Sequence, residues 1–319
     1  MNASPLRILI TGATGCAGTS LSRLAIARGA VVHGIALSGE FVPGVAGRLG
    51  DVTQLDLVDA VIQEARPDWV FHLAALIPGL PSKPTPERYL EVNITGTYHV
   101  LDAVSRLAPQ ARVIVISSSA VYGQPKNPSR PITEEQILHP QSLYATTKVG
   151  EEMLAMQFFA QYGVHTIRAR TFNQTGPREP EILVCATLAQ QIARIETGKQ
   201  EPILRAVTLA TSRDFTDVRD VVAGYWAALE YGEAGQAYNI CSGHSQSIRN
   251  IADILLALST RRDIQIVETD PIPNPRAILD QIGDASRLRA RSGWQPQIPI
   301  EKSLRDLLNE WRDKVETEK

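Results

Sequence analysis

Along the first half of the chain, short unbroken apolar runs alternate with longer stretches whose apolar residues recur at helical spacing. Leu6-Arg7-Ile8-Leu9-Ile10-Thr11, Val31-Val32-His33-Gly34-Ile35-Ala36-Leu37, Trp69-Val70-Phe71-His72-Leu73-Ala74-Ala75 and Arg112-Val113-Ile114-Val115-Ile116 read as strands covered on both faces. Between them, Leu21, Leu24 and Ala25 begin a helical pattern that closes at Gly29. Further helices are predicted over 55–65, 88–107 and 149–162, and a stiff loop with four prolines lies between Pro78 and Pro86. Strands alternating with helices to about residue 170 predict an α/β fold with a doubly wound parallel sheet. Beyond it the glycine and proline spacing changes, giving a smaller α/β region over 171–319 with segments returning to the sheet of 1–170. A helix is predicted over 182–197, and Leu304, Leu307, Leu308 and Trp311 form a core stripe near the end.

Composition narrows the function classes. The 319 residues are 44% hydrophobic and 21% charged with a formal net charge of −2, so nothing provides the basic field that nucleic acid requires. No apolar run reaches membrane-spanning length, and the short lead into the first strand leaves no room for a signal peptide. Cys16, Cys185 and Cys241 are too few and too scattered for a disulfide framework, and no C-x-x-C spacing suggests a metal. The expectation is a cytoplasmic protein with reduced thiols, no metal, no membrane and no nucleic acid.

The chemistry begins where the first strand stops. Thr11-Gly12-Ala13-Thr14-Gly15-Cys16-Ala17-Gly18 places three glycines at three-residue spacing between a strand and a helix. That arrangement aims backbone N–H groups and a positive helix end at a pyrophosphate. One glycine permits the tight turn, one lets the phosphate approach, and one lets the helix pack against the strand. The second strand ends in Ala36-Leu37-Ser38, which offers neither the acid that holds an NAD ribose nor the base that holds an NADP phosphate. Without a repelling carboxylate the balance leans to NADP(H), with NAD(H) open; Arg48 is a nearby cation that a loop would ordinarily leave solvated. His72, inside an apolar run, reads as a satisfied core histidine.

Tyr144 and Lys148 stand four residues apart at the start of a strongly helical stretch, where they share a face. Lys148 can therefore lie beside Tyr144 and stabilise its phenolate, and the phenol can trade a proton with a carbonyl/alcohol couple while a nicotinamide trades the hydride. Ser118 ends its strand, where ligands bind in open α/β sheets, and can hydrogen-bond the same oxygen.

Taken in order, TGATGCAG, Ser118 and Tyr144-x-x-x-Lys148 resemble the extended short-chain dehydrogenase/reductase (epimerase/dehydratase) family over essentially the whole chain. The resemblance implies a Rossmann domain over 1–170, a substrate region over 171–319, and Ser118, Tyr144 and Lys148 as the catalytic residues. It places the dinucleotide against Gly12, Thr14, Gly15, Cys16, Ala17 and Gly18, near Ser38, with Asp51 and Val52 at the adenine. Leu73, Ala74, Ala75, Asn93, Ile116 and Thr171, with Tyr144 and Lys148, complete that site. Dehydratases of the family carry Asp-Glu after the hydroxyl residue; here Ser119-Ala120 stand there, so dehydration is not expected.

Arg170-Thr171-Phe172-Asn173 followed by Gly176-Pro177, and Arg213-Asp214-Phe215 with Val218 and Asp220, match the nucleotide-sugar members. They imply Ser118, Ser119, Asn173, Arg213 and Arg276 at the substrate, Arg213 on its diphosphate; an Asx-type turn at Asn173 and an ion pair of Arg213 with Asp214 or Asp217 are the plainer alternatives. The stretches ARTFNQTGP, SRDFTDVRDVVAGYWAAL and SGWQPQIPIEKSL are similar to reductases of GDP-6-deoxy-4-keto-D-mannose. They imply NAD(P)H-dependent reduction of a 4-keto-6-deoxy nucleotide sugar, GDP-linked, to a product such as GDP-D-rhamnose, by a homodimer. The late loop departs from that pattern, reading Asn274-Pro275-Arg276-Ala277. A nucleotide-sugar 4-epimerase and a non-catalytic dinucleotide-binding regulator are the alternatives.

Overall fold

The computed structural model describes residues 4–125, 127, 130–270 and 280–318. Its strands are β1 (Arg7–Thr11), β2 (Val31–Ala36), β3 (Val45–Leu49), β4 (Trp69–His72), β5 (Arg112–Ser118), β6 (His165–Thr171), β7 (Asn173–Thr175), β8 (Ile203–Val207), β9 (Ser212–Asp217), β10 (Ala237–Ile240), β11 (Ser245–Ser247), β12 (Gln265–Asp270) and β13 (Asp280–Gln281). The helices are α1 (Cys16–Ala27), α2 (Leu55–Ala65), α3 (Pro86–Tyr89), α4 (Gly96–Leu107), α5 (Leu143–Tyr162), α6 (Val184–Glu196), α7 (Val218–Tyr231), α8 (Ile248–Leu258), α9 (Ser286–Ser292) and α10 (Ile300–Thr317).

Seven parallel strands lie in the order β10-β6-β5-β4-β1-β2-β3. Alternation along each strand feeds two cores. Ile8 and Ile10 of β1, Phe71 of β4 and Ile114 of β5 pack against Leu21, Ala25, Val222 and Trp226 of α1 and α7. Leu9, Val70, Val113 and Val115 point the other way, against Val58 and Ile62 of α2, Leu101 and Val104 of α4, and Phe158 of α5. The chain turns to opposite sides after β1, whose neighbours are β2 and β4, and ligands of open α/β sheets bind at such a switch.

The segment beyond residue 170 splits its loyalties. β10 joins the large sheet beside β6, and α7 covers one of its faces. β7, β9, β11 and β13 form a separate four-stranded sheet, β8 and β12 a pair, and α6, α8 and α10 enclose a third core that includes Leu304, Leu307, Leu308 and Trp311.

Two features escape the sequence pattern. β3 is an exposed edge strand whose residues Val45-Ala46-Gly47-Arg48-Leu49 carry no buried stripe. Its Gly47 is held because the Phe41 ring lies over it, 2.3 Å from where a Cβ would stand. The single helix expected over 88–107 is instead α3 and α4 joined by a π-helical turn, Leu90–Thr95. The extra residue of a π turn turns side chains out of the helical register, and such turns recur at functional sites.

Candidate active site

Two glycines of the turn, Gly12 and Gly18, do the turning and packing expected of them. Gly12 sits at φ 71°, and a Cβ there would lie 3.0 Å from the Ala74 nitrogen. At Gly18 a Cβ would stand 2.1 Å from the Gly12 oxygen, so only glycine lets α1 close onto β1. Gly15 meets nothing nearer than that same oxygen at 3.3 Å, and as N-cap of α1 it caps with no side chain. The open first N–H groups of a twelve-residue helix beside a bare glycine form the cradle that a dinucleotide pyrophosphate fits. Thr14 Oγ1 donates to the Ser38 carbonyl at 2.7 Å, tying the turn to the tip of β2. Cys16 opens α1 and donates to the Pro177 carbonyl at 3.4 Å; burial, with Glu179 adding to it, pushes its thiol up to about 12.

A cleft of about 390 Å³ opens beside this turn, lined in part by Ala17, Ser118, Tyr144, Lys148 and Asn173. Leu73, Ala75, Ile116, Ser119 and Thr171 also line it. A larger cavity of about 720 Å³, between Ser242, His244 and the 294–300 segment, holds none of these groups, so size is a poor guide here.

Tyr144 and Lys148 reach the cleft because Ser142 caps α5, its hydroxyl accepting from the Ala145 N–H at 3.1 Å. Lys148 Nζ stands 5.9 Å from the Tyr144 ring centroid and donates to the Ile116 carbonyl and to Glu151 Oε2, each at 2.9 Å. Burial is the largest single effect and would lower the Lys148 ammonium, but the charge and hydrogen bond of Glu151, with Tyr144 and Glu152, together outweigh it and hold the group above its ordinary value. Ser118 accepts from the Ala120 N–H at 3.2 Å, which leaves its own proton for a ligand. The Ser119 hydroxyl is spent on Gln281 Oε1 at 2.8 Å, and Gln281 Nε2 returns a bond to the Ser119 carbonyl at 3.0 Å.

Behind the cleft runs a buried polar chain. The Ala74 N–H donates to Thr11 Oγ1 at 3.1 Å, and Thr11 Oγ1 meets His72 Nδ1 at 2.8 Å. His72 Nε2 meets Thr97 Oγ1 at 2.9 Å, and that hydroxyl donates to the Asn93 carbonyl at 2.6 Å. Only one direction of donation satisfies every member, with the proton on Nε2. Burial, with Lys148 behind it, lowers His72 to about 3, so it is a neutral strut. Asn93, on the π-helical turn, accepts from the Leu76 N–H at 2.8 Å and donates to Thr147 Oγ1 at 2.9 Å, and Thr147 donates to the Tyr144 carbonyl at 2.8 Å. The glycine turn and the Tyr144 helix are thus joined through β4. Asn93 acts through this bracing, its amide being committed within the protein.

Asp51 likewise works within the fold. It accepts from the Thr53 N–H and hydroxyl, each at 2.9 Å, and pairs with Arg88; Val52 beneath it packs on Gly96. Arg48 pairs with Glu64 at 2.9 Å. Asp214 accepts from Ser242 and the Gly243 and Gly283 N–H groups, and Asp217 pairs with Arg219, so both acids that competed for Arg213 are engaged elsewhere. Arg213 donates to the Ser212 carbonyl at 2.8 Å, and burial lowers it to about 10 with Asp280 opposing. Arg276 lies outside the described residues.

Two carboxylates that the motif reading passed over sit on α5 itself. Glu152 takes Arg170 through both oxygens at 2.8–3.1 Å, Ser117 at 2.6 Å and Arg168 at 3.4 Å, clamping α5 to β5 and β6. Glu151 holds Lys148. Their spacing from Lys148, three and four positions on, was the available signal.

The model of a family described as GDP-mannose 4,6 dehydratase matches residues 9–307. The GDP-6-deoxy-D-mannose reductase of Pseudomonas aeruginosa is 38% identical over 253 residues, 79% of this chain and 83% of that protein. A UDP-glucose 4-epimerase of Mycolicibacterium smegmatis is 27% identical over 97% of this chain and 99% of its own. Among solved structures, RMD from Pseudomonas aeruginosa complexed with NADPH superposes with a TM-score of 0.85 at 34% identity, covering 97% of this chain and 100% of that one.

Proposed function

Because the chain belongs to the GDP-mannose 4,6 dehydratase family, we propose that it is a reductase within it, using NADPH to convert a GDP-linked 4-keto-6-deoxyhexose into a GDP-6-deoxyhexose such as GDP-D-rhamnose. One observation carries the reading: Ser118, Tyr144 and Lys148 line one cleft, while the next positions, Ser119 and Ala120, bring neither acid nor base. The name of the Pseudomonas relative and its NADPH complex support the substrate and the cofactor.

The turn of Gly12, Thr14, Gly15, Cys16, Ala17 and Gly18 would hold the dinucleotide, which supplies the hydride when bound. Tyr144 gives its phenolic proton to the sugar C4 oxygen as that oxygen becomes an alkoxide. Ser118 donates a hydrogen bond to the same oxygen, and the Lys148 charge steadies the phenolate left behind. The planar guanidinium of Arg213 would suit the substrate diphosphate, and Asn173, which lines the cleft, would meet the sugar. No helix among the described residues is long and apolar enough to cross a membrane, and the three unpaired thiols fit a cytoplasmic enzyme.

A homodimer formed through α4 and α5 completes the reading. Tyr98 on α4 and Met153, Met156, Phe159 and Tyr162 on α5 are each 40–55% exposed, and the α5 members, three residues apart, give that helix an apolar surface that winds round it.

The test is to supply the purified protein with a GDP-4-keto-6-deoxyhexose and NADPH and follow nicotinamide absorbance against sugar product. One equivalent of NADPH should be consumed per sugar. Sugar inverted with no net consumption would replace the reductase by an epimerase.

A further inference from the structure

Of the two carboxylates that follow Lys148 on α5, Glu152 is accounted for by its arginines. Glu151 is not. Its side chain is 1% exposed, Oε2 accepts from Lys148 at 2.9 Å, and Oε1 is closed off from solvent with no hydrogen-bond partner. Such a carboxylate is costly to bury and is sustained here by one cation, itself 5% exposed. That cation is the residue that faces the cleft. Its ammonium has three N–H donors; Ile116 and Glu151 take two, leaving the third toward the space it shares with Tyr144.

The other charged and titratable groups that face the Lys148 end of α5 are committed elsewhere; Asp102 and Arg106 of α4 pair with each other, and Arg112 and His165 open β5 and β6 at the end away from Ser118 and Thr171. Arg88 of α3 pairs with Asp51 and Glu91, and His99 of α4 meets the Val52 carbonyl. Tyr122, after β5, bonds Asn239 and Arg170; Arg168 and Arg170 of β6 belong to Glu152; His72 of β4 is neutral between two threonines. Lys148 is the one cation that holds Glu151 among the described residues.

We propose that Glu151 is the positioning residue of the Tyr144/Lys148 pair: it fixes the Lys148 ammonium in the free protein and takes up a proton from solvent when a bound dinucleotide draws that ammonium away. The inference rests on the reading that a nicotinamide dinucleotide occupies this cleft. Burial raises the Glu151 carboxyl to about 7, with Lys148 opposing the rise. Weakening that opposition raises it further, so the bound protein keeps a proton that the free protein has lost. Affinity is therefore flat below about pH 7 and falls as pH rises above it.

Calorimetric titration of the full chain with NADP⁺, in buffers of differing ionisation heat at about one unit above that midpoint, tests it. The wild type should take most of one proton from the buffer per dinucleotide bound, and its dissociation constant should rise by up to about tenfold per pH unit. Glu151→Gln should bind without that uptake and without that slope. Lys148→Met is the second variant: its Glu151, lacking a cation, is already protonated before binding, so the uptake is lost there too. Proton-neutral binding by the wild type, or undiminished uptake in Glu151→Gln, overturns the inference while leaving the dinucleotide reading intact. Absence of any binding by the wild type removes that reading and this inference with it.

Discussion

Glycines at three-residue spacing look alike in a sequence, yet Gly15 and Gly18 answer to different forces. A methyl group at Gly18 would stand 2.1 Å from the Gly12 carbonyl, whereas one at Gly15 would stand 3.3 Å from it, a tight contact that a small shift relieves. Gly18→Ala should lower stability by about 1–3 kcal/mol, seen as an earlier thermal midpoint. Gly15→Ala should fold with a midpoint much closer to that of the wild type and lose dinucleotide affinity. Equal thermal midpoints for the two variants would contradict this division. His72 gives the second residue-scale expectation. Its folded pKa of about 3 lies below the unfolded 6.5, so its stabilising contribution is complete above pH 6.5 and lost as pH falls toward 3, by up to about 1.4 kcal/mol per pH unit. The stability difference between wild type and His72→Gln, from denaturant unfolding, should shrink between about pH 7 and pH 5; a constant difference would remove the neutral-strut role. At this scale the meeting of Ser118, Tyr144 and Lys148 at one cleft was legible because they sit at a strand end and at helical spacing. Ser119 and Asn93 show the limit of that reading: a motif names a residue, but Gln281 and Thr147, distant in sequence, decide what its polar atoms do.

Elements with a continuous apolar run or a clean stripe were readable, and α2 lies over the residues expected, Leu55–Ala65. The misses have physical causes. β3 is an edge strand with almost nothing buried, so no pattern marks it. The π-helical turn at Leu90–Thr95 shares its composition with the helices on either side, and only its hydrogen bonding reveals it. Helix α5 carries Lys148, Glu151 and Glu152 at buried positions, so its polar residues do not signal a solvated face. Asn93→Ala is the element-scale test. It cuts the link from the Leu76 loop to α5 and should cost about 1–3 kcal/mol while lowering turnover through displaced Tyr144. Unchanged stability and turnover would show that the π-helical turn does not brace the cleft.

For the molecule as a whole, a large parallel sheet has both faces covered by apolar cores, and a separate helical core lies beyond it. Phe215 and Asn173 border the cleft from the smaller sheet, so the cleft is shared between the two sheets. Sequence pattern disclosed the first layer well; the small sheet of two- to six-residue strands is too short to carry periodicity. The exposed apolar surface of α5 makes assembly testable at this scale. Met156→Glu with Phe159→Glu should convert a dimer to a monomer in light scattering, and a wild type that is monomeric would refute the pairing. The proton donor of the proposed reaction is one phenol, and the decisive comparison is turnover of a GDP-4-keto-6-deoxyhexose by Tyr144→Phe, with NADPH affinity measured on the same sample. Turnover should fall by about a hundredfold or more with affinity nearly unchanged. Turnover at the wild-type rate would contradict the account.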